Sequence, residues 1–136
     1  MAHGKKTELV LKLYTAFQKG DLPTLLEHMT DTIDWGVDTQ MPSPIPWHGV
    51  GIGKDYAASF FKTLAKECDF TVFEPSNFME SEDSVACLVR FESTLKKNGR
   101  KVAQTGIHCF TFKDDRHVSR WRGWEDTART LAAWNA

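Results

Sequence analysis

The chain is poor in cysteine and has no excess of either charge. Its three cysteines, Cys68, Cys87 and Cys109, are an odd number without a CxxC pair, so neither a disulfide framework nor a zinc knuckle is indicated. They are typical of buried free thiols in a reducing compartment. The 17 Lys and Arg residues nearly balance the 18 Asp and Glu residues, which leaves a net charge of -1. The basic surface that a nucleic acid or an anionic membrane would need is therefore not expected.

Long hydrophobic runs are also missing. The N-terminal segment has no uninterrupted apolar stretch of the kind found in signal peptides, and no segment approaches the ~20 apolar residues of a membrane span. The five histidines are scattered without the spacing of a metal site. We therefore expect a cytoplasmic protein without a nucleic-acid or membrane partner, a bound metal or an organic cofactor.

The pattern that is present predicts one domain over residues 1–136, because 136 residues with 41% hydrophobic content suit a single core. Helical spacing predicts helices over 7–20 and 54–66, a short helix after Asp21 and a terminal helix after Asp126. Residues 39–53 hold three prolines and three glycines and are expected to be an irregular loop folded over the domain. Alternating apolar residues predict strands over 32–37, 70–78, 84–96, 100–113 and 117–124.

This order of elements indicates an α+β domain in which helices cover one face of a curved antiparallel sheet. "KKNGRK" carries the Asn-Gly signal of a tight hairpin turn, and "KDDRH" is a second turn, so the later strands should be antiparallel neighbours. The concave side of such a sheet forms an apolar cavity where the helices leave it open. A small hydrophobic ligand is the expected occupant.

Several strings resemble the SnoaL-like branch of the nuclear-transport-factor-2-like superfamily, which includes ketosteroid isomerase. They are "LYTAFQKGDLPTLLEHMTDTIDW", "PWHGVGIGKDYAASFF" and "VSRWRGWEDT", and they follow one another in the order of the family. The resemblance implies a cone-shaped α+β barrel, with a sheet wrapped around N-terminal helices, an internal pocket and a homodimer. The two long strands carry more apolar residues than one face of the sheet can bury, among them Val89 and Ile107, and this also favours the homodimer.

The same resemblance points to candidate catalytic residues. The general base of the isomerase would fall on Val37, with Asp38 one residue away on the other strand face unless a bulge restores it, so that activity is not carried over. His108, in "QTGIHCF", resembles the strand histidine of SnoaL-type cyclases and of scytalone dehydratase. Asp126 resembles the acid/base aspartate of the cyclases. The alternatives are a core histidine with a satisfied hydrogen bond and a routine helix N-cap.

Residue faces and aromatic content predict the lining of the pocket. On an ideal strand Phe110 shares the face of His108, whereas Arg122 and Trp124 share the face of Asp126 and leave Trp121 and Glu125 on the other side. An inward Arg122 could pair with Asp126 or bind a substrate carboxylate. The full set of predicted substrate-binding residues is Tyr14, Phe17, Trp35, Trp47, Phe60, Phe110, Arg122 and Trp124.

These residues favour acid/base chemistry beside a carbonyl group. Cyclisation, dehydration and double-bond migration all begin with removal of a proton next to a carbonyl, which needs a base and a donor for the oxyanion. The expected function is a cofactor-free enzyme of the polyketide cyclase, isomerase or dehydratase kind. The alternatives are a non-catalytic ligand-binding or protein-interaction domain, and an epoxide hydrolase.

Overall fold

The computed structural model describes residues 4–136, which form four helices and six strands. The helices are α1 (Lys5–Lys19), α2 (Leu22–Glu27), α3 (Lys54–Glu67) and α4 (Thr127–Trp134). The strands are β1 (Met29–Val37), β2 (Gly49–Ile52), β3 (Cys68–Glu80), β4 (Ser84–Leu95), β5 (Lys101–Asp114) and β6 (His117–Trp124).

α1 begins two residues before the predicted start at Thr7, and the glycine and aspartate predicted to end it and to begin α2 do so. α1 ends at Gly20, whose φ of 70° is left-handed and whose N–H bonds the last carbonyls of the helix. Asp21 then caps α2, because its Oδ1 accepts a hydrogen bond of 3.2 Å from the N–H of Thr24. The two helices therefore form a hairpin across a short link.

The strands form one open sheet in the order β2-β1-β6-β5-β4-β3, with β2 and β3 at its edges. Four of the five neighbouring pairs are antiparallel, but β1 runs parallel to β6. The sheet is thus mixed, and the expectation of a purely antiparallel sheet is corrected in this one pair. A parallel pair needs a long crossover, and the chain from β2 to β5 supplies it.

The segment expected to be wholly irregular contains β2, so that prediction is wrong for Gly49–Ile52. β2 pairs with β1, and Gly36 lies opposite Val50. A Cβ on Gly36 would lie 2.1 Å from the carbonyl oxygen of Gly49, so a glycine is required for the close approach of the two strands. The rest of the loop carries Ile45 and Trp47 into the core.

The core lies between the helices and the concave face of the sheet. α3 contributes Phe60 and Leu64, both buried, to the surface that faces the strands. Trp35 of β1 and Trp121 of β6 stack with their ring centroids 4.5 Å apart and their planes 23° apart. This stacked pair forms part of the wall of an internal cavity.

Candidate active site

The internal cavity has a volume of about 100 Å³ and an almost entirely apolar wall. α1, α3 and strands of the sheet contribute aromatic side chains to it. Its polar lining residues include Tyr14, His108, Glu125 and Thr130. Seven of the eight predicted substrate-binding residues border this cavity, and their binding role stays a prediction: Tyr14, Phe17, Trp35, Trp47, Phe60, Phe110 and Trp124.

His108 lies in the wall of the cavity, at the point where β5 pairs with β4. Its Nδ1 is 2.8 Å from the hydroxyl oxygen of Tyr14, and that hydroxyl is 3.1 Å from Sγ of Cys87. The imidazole also meets Trp121 edge to face, with ring centroids 4.9 Å apart. Within the described part of the chain its Nε2 has no hydrogen-bond partner. One nitrogen is therefore fixed, and the other is free for a ligand.

Burial keeps this group of three side chains uncharged. Desolvation lowers the pKa of His108 from 6.5 to about 3. Burial, with a smaller effect of the neighbouring Cys87, raises the pKa of Tyr14 well above its ordinary value. Burial also raises the pKa of the Cys87 thiol. Near neutral pH the imidazole, the phenol and the thiol therefore all hold their neutral forms.

Glu125 brings a carboxylate to the same cavity from the end of β6. Its side chain is only 10% exposed. Oε2 accepts hydrogen bonds from the hydroxyl of Thr130 and, at 3.3 Å, from Nε2 of Gln104. Oε1 makes no hydrogen bond within the described residues and lies 3.4 Å from Nε2 of His48. The carboxylate is thus oriented through one oxygen, and the other oxygen faces the imidazole of His48.

His48 belongs to the loop before β2 and was not among the predicted site residues. Its side chain is 1% exposed, and its Nδ1 is 2.9 Å from Oγ of Ser43 in the same loop. The adjacent Trp47 meets Trp134 of α4 edge to face, with centroids 5.8 Å apart. The loop therefore closes the Glu125 end of the cavity, where an irregular segment folded over the domain was expected.

Asp126, the second predicted catalytic residue, does not border the cavity that His108 lines. Its Oδ1 accepts a hydrogen bond of 3.1 Å from the N–H of Arg129 and so caps α4, and its side chain is 49% exposed. The chain leaves β6 at Trp124, and capping requires the carboxylate to point back at the first turn of the helix. The N-cap alternative is the one that the structure shows.

Arg122 also lies outside the cavity, which corrects its assignment to substrate binding. Its Nη2 is 2.8 Å from Oδ1 of Asp34, and its Nη1 donates to the carbonyl oxygen of Trp121 at 3.1 Å. The predicted faces of β6 are wrong for Trp121, Glu125 and Arg122: Trp121 and Glu125 line the cavity, and Arg122 takes the other side, whereas Trp124 borders the cavity as predicted. The cause is the stacking of Trp121 on the inward-facing Trp35, which fixes the inner face of the strand.

The position of the isomerase base is occupied by an apolar side chain. Val37 is buried and lines the cavity. Asp38 follows β1, and its carboxylate accepts hydrogen bonds from the N–H and the side-chain amide of Gln40 in the loop. No bulge brings Asp38 to the cavity, so it does not replace the missing base.

No group of three or more His, Cys, Asp or Glu side chains in residues 4–136 is placed to hold a metal ion. In the same part of the chain, every helix is too short or too polar to cross a membrane.

Comparisons with known proteins agree with this fold. An NTF2-like protein of unknown function from Burkholderia pseudomallei is 23% identical, covers 98% of this chain and 100% of its own, and has a TM-score of 0.87. TerC co-crystallised with polyporic acid is 19% identical, with a TM-score of 0.84 and coverage of 98% and 100%. A candidate polyketide cyclase from Xanthomonas campestris is 18% identical, with a TM-score of 0.74 and coverage of 95% and 96%. None of the curated proteins compared with the chain matches it. A family model described as a SnoaL-like domain matches residues 10–120, and the chain therefore belongs to the SnoaL-like domain family.

Proposed function

We propose that the protein binds a small, mainly apolar carbonyl compound in this cavity and catalyses proton transfer at the carbon beside the carbonyl. The observation that carries the proposal is the neutral His108, with Nδ1 fixed by Tyr14 and Nε2 free in an aromatic cavity that also holds a carboxylate. The two polar groups match the donor and the base that this chemistry needs.

The hydrogen bonds around Tyr14 favour a donor role for His108. The hydroxyl has one proton and two neighbours, and an imidazole nitrogen is a much better acceptor than a thiol sulfur. Tyr14 therefore donates to Nδ1, and the S–H of Cys87 donates to the hydroxyl oxygen. This leaves the proton of His108 on Nε2. A neutral imidazole N–H can stabilise the oxyanion that forms from a carbonyl oxygen.

Glu125 is the base that accompanies this donor. His108 pairs with Gly123 across β5 and β6, and Glu125 follows Gly123 by two residues, just after the end of β6. Two extended residues span about 7 Å, so the backbone positions of the two groups are separated by roughly that distance. The indole of Trp121 lies over Gly123, where a Cβ would approach the ring too closely. Oε1 of Glu125 accepts no hydrogen bond within the described residues and lies 3.4 Å from Nε2 of His48, and it is the oxygen proposed to accept a proton.

The proton transfer balances without any other group. Oε1 of Glu125 takes the proton from the carbon next to the carbonyl, and the C–H electron pair forms a carbon–carbon double bond. The carbonyl π electrons move to oxygen, where the N–H of His108 stabilises the charge. In an unsaturated ketone, return of the proton from Glu125 to another carbon isomerises the substrate. Loss of a β-hydroxyl, which leaves as water with that proton, dehydrates it. Attack of the enolate carbon on a second carbonyl, whose oxygen takes the proton, closes a ring.

The relatives support the same class of ligand and reaction. TerC, which has a similar fold, was crystallised with polyporic acid, and the Xanthomonas protein is a candidate polyketide cyclase. We therefore favour a cyclase, isomerase or dehydratase reaction over hydrolysis.

Deuterium exchange tests this proposal without the natural substrate. Cyclohexanone and 2-tetralone are incubated with the protein in deuterated buffer, and loss of the signals of the protons beside the carbonyl is followed by proton NMR. We expect exchange above the buffer rate, and a loss of about 100-fold or more in His108→Leu and in Glu125→Gln. Asp126→Asn is the matched control, since asparagine caps a helix as well as aspartate does, and it should retain the rate of the parent.

A probe that binds but does not exchange contradicts the proposal. Saturation-transfer NMR shows whether each ketone is bound. If bound ketone exchanges no faster than in buffer, or if the two site variants match the control, the cavity serves ligand binding without turnover.

A further inference from the structure

A second depression opens beside the cavity, and we call it the outer groove. It has a volume of about 540 Å³ and lies between α1, α2, α3 and the start of β3. Six residues border both spaces, and we call them the partition: Phe17, Leu25, Phe61, Leu64, Phe70 and Phe73. The outer groove is therefore directly behind the wall of the cavity.

The partition consists largely of phenylalanine rings around Phe17. The ring of Phe17 lies 6.0 Å from that of Phe61, 5.7 Å from that of Phe70 and 5.1 Å from that of Phe73. These four side chains are only partly buried. Phe73 in turn contacts Tyr14, with centroids 5.5 Å apart. Passage from the groove towards His108 therefore requires these side chains to change rotamer.

The sizes of the two spaces indicate a ligand that uses both. The inner cavity of about 100 Å³ is small, whereas pockets for organic ligands usually measure about 300–1,000 Å³. The outer groove alone falls within that range. A molecule with a single small ring leaves the groove empty, but a molecule with a second ring or chain fills it.

The rim of the outer groove carries a positive charge. Lys62 of α3 is exposed and has no ion pair within the described part of the chain. Gln18 on the facing helix donates its amide to the carbonyl oxygen of Phe73 at 3.3 Å, and no carboxylate lines the groove. A negatively charged group at the outer end of a ligand would meet Lys62.

We propose that the outer groove is a second binding subsite for a two-part ligand. One apolar ring occupies the inner cavity beside His108, and a second aryl or alkyl arm with an anionic end lies in the groove against Lys62. This inference rests on the proposed function, because it takes the inner cavity as the reacting end. It narrows the substrate class to anionic compounds larger than one ring.

The dye 8-anilinonaphthalene-1-sulfonate is a suitable probe, since it has two aromatic parts and one anionic group. Its fluorescence rises in apolar surroundings, which gives an affinity by titration. Ala65→Trp places an indole in the groove, and Lys66→Trp places the same side chain next to it, outside the groove. We expect at least about tenfold weaker binding in Ala65→Trp and unchanged binding in Lys66→Trp.

A second comparison isolates the charge. Lys62→Gln should weaken binding of the dye about two- to fivefold, the size of one exposed ion pair. The same change should leave binding of N-phenyl-1-naphthylamine, the uncharged skeleton of the dye, unaltered. If Lys62→Gln changes the affinity for both probes equally, or for neither, the assignment of an anionic arm is overturned.

Proton NMR shows whether the probe spans both spaces. We expect nuclear Overhauser effects from the bound dye to the His108 ring and to the Ala65 methyl group in one complex. Effects to one side alone, or equal affinity in Ala65→Trp and Lys66→Trp, overturn the two-part subsite. Ketone exchange and dye binding are measured separately on the parent protein, so failure of the groove and failure of the reaction are distinguishable: exchange without two-sided dye binding overturns the subsite alone, and two-sided dye binding without exchange overturns the reaction alone.

Discussion

His108 should make the protein sensitive to mild acid. Its pKa in the folded chain is lowered to about 3 by burial, against an ordinary value of 6.5. Between these two values the unfolded chain binds a proton that the folded chain does not, so the free energy of unfolding falls as the pH falls. A pKa difference of one corresponds to about 1.4 kcal/mol, so the loss through His108 reaches about 2 kcal/mol at about pH 5.

The variant His108→Leu removes this titration while keeping a side chain of similar volume. The free energy of unfolding is measured by urea titration at about pH 7.5 and about pH 5 for both proteins. We expect the difference between the two pH values to be about 2 kcal/mol smaller in the variant. His117→Asn, at an exposed turn, retains His108 and should show the full loss. Equal acid sensitivity in the parent and in His108→Leu would refute the buried neutral imidazole.

Two further predictions concern the protonation of the site and the assembly of the chain. In nitrogen-15 NMR spectra, Nδ1 of His108 should appear unprotonated and Nε2 protonated, because the hydroxyl of Tyr14 donates to Nδ1; the opposite assignment would contradict the proposed donor role. Ile107 and Trp124 lie opposite each other in β5 and β6 and are 48% and 37% exposed. We therefore expect light scattering at micromolar concentration to give the mass of a dimer, and Ile107→Lys to lower that mass. A monomer mass for the parent would contradict this.

The helices and the long strands could be predicted from the sequence because their signals are local. α3 follows from apolar residues at helical spacing, and α1 ends at a glycine that can adopt a left-handed φ. β2 could not be predicted in this way. Its four residues include two glycines, and it is formed by pairing with β1, at a glycine that permits the close approach.

The candidate site could be predicted in part. The inward face of β5 follows from alternation, and His108 and Phe110 border the cavity as expected. The residues on the inner face of β6 could also have been predicted from the turn between β5 and β6. Asp114 pairs with His117 across a two-residue turn, and counting back from that pair places Gly123 opposite His108. Residues directly opposite share a face, so this register would have placed Glu125 inside.

The contact between His48 and Glu125 has no comparable sequence signal. The two residues are distant in the chain, and His48 lies in a loop whose path depends on packing of Trp47 against Trp134. No periodicity sets the path of such a loop. Only the folded chain shows that His48 lies against the carboxylate of Glu125, which lines the cavity.

Packing, rather than charge, decides which carboxylate of the last strand enters the cavity. An aromatic side chain buries roughly 150–250 Å², so the stacking of Trp121 on Trp35 fixes the inner face of β6. Arg122 must then lie outside, where Asp34 neutralises it. Glu125 is forced inward by the same alternation, and a buried carboxylate is tolerated only with donors. The hydroxyl of Thr130 and the side-chain amide of Gln104 supply them at Oε2, and Oε1, beside His48, is the oxygen proposed to accept the substrate proton.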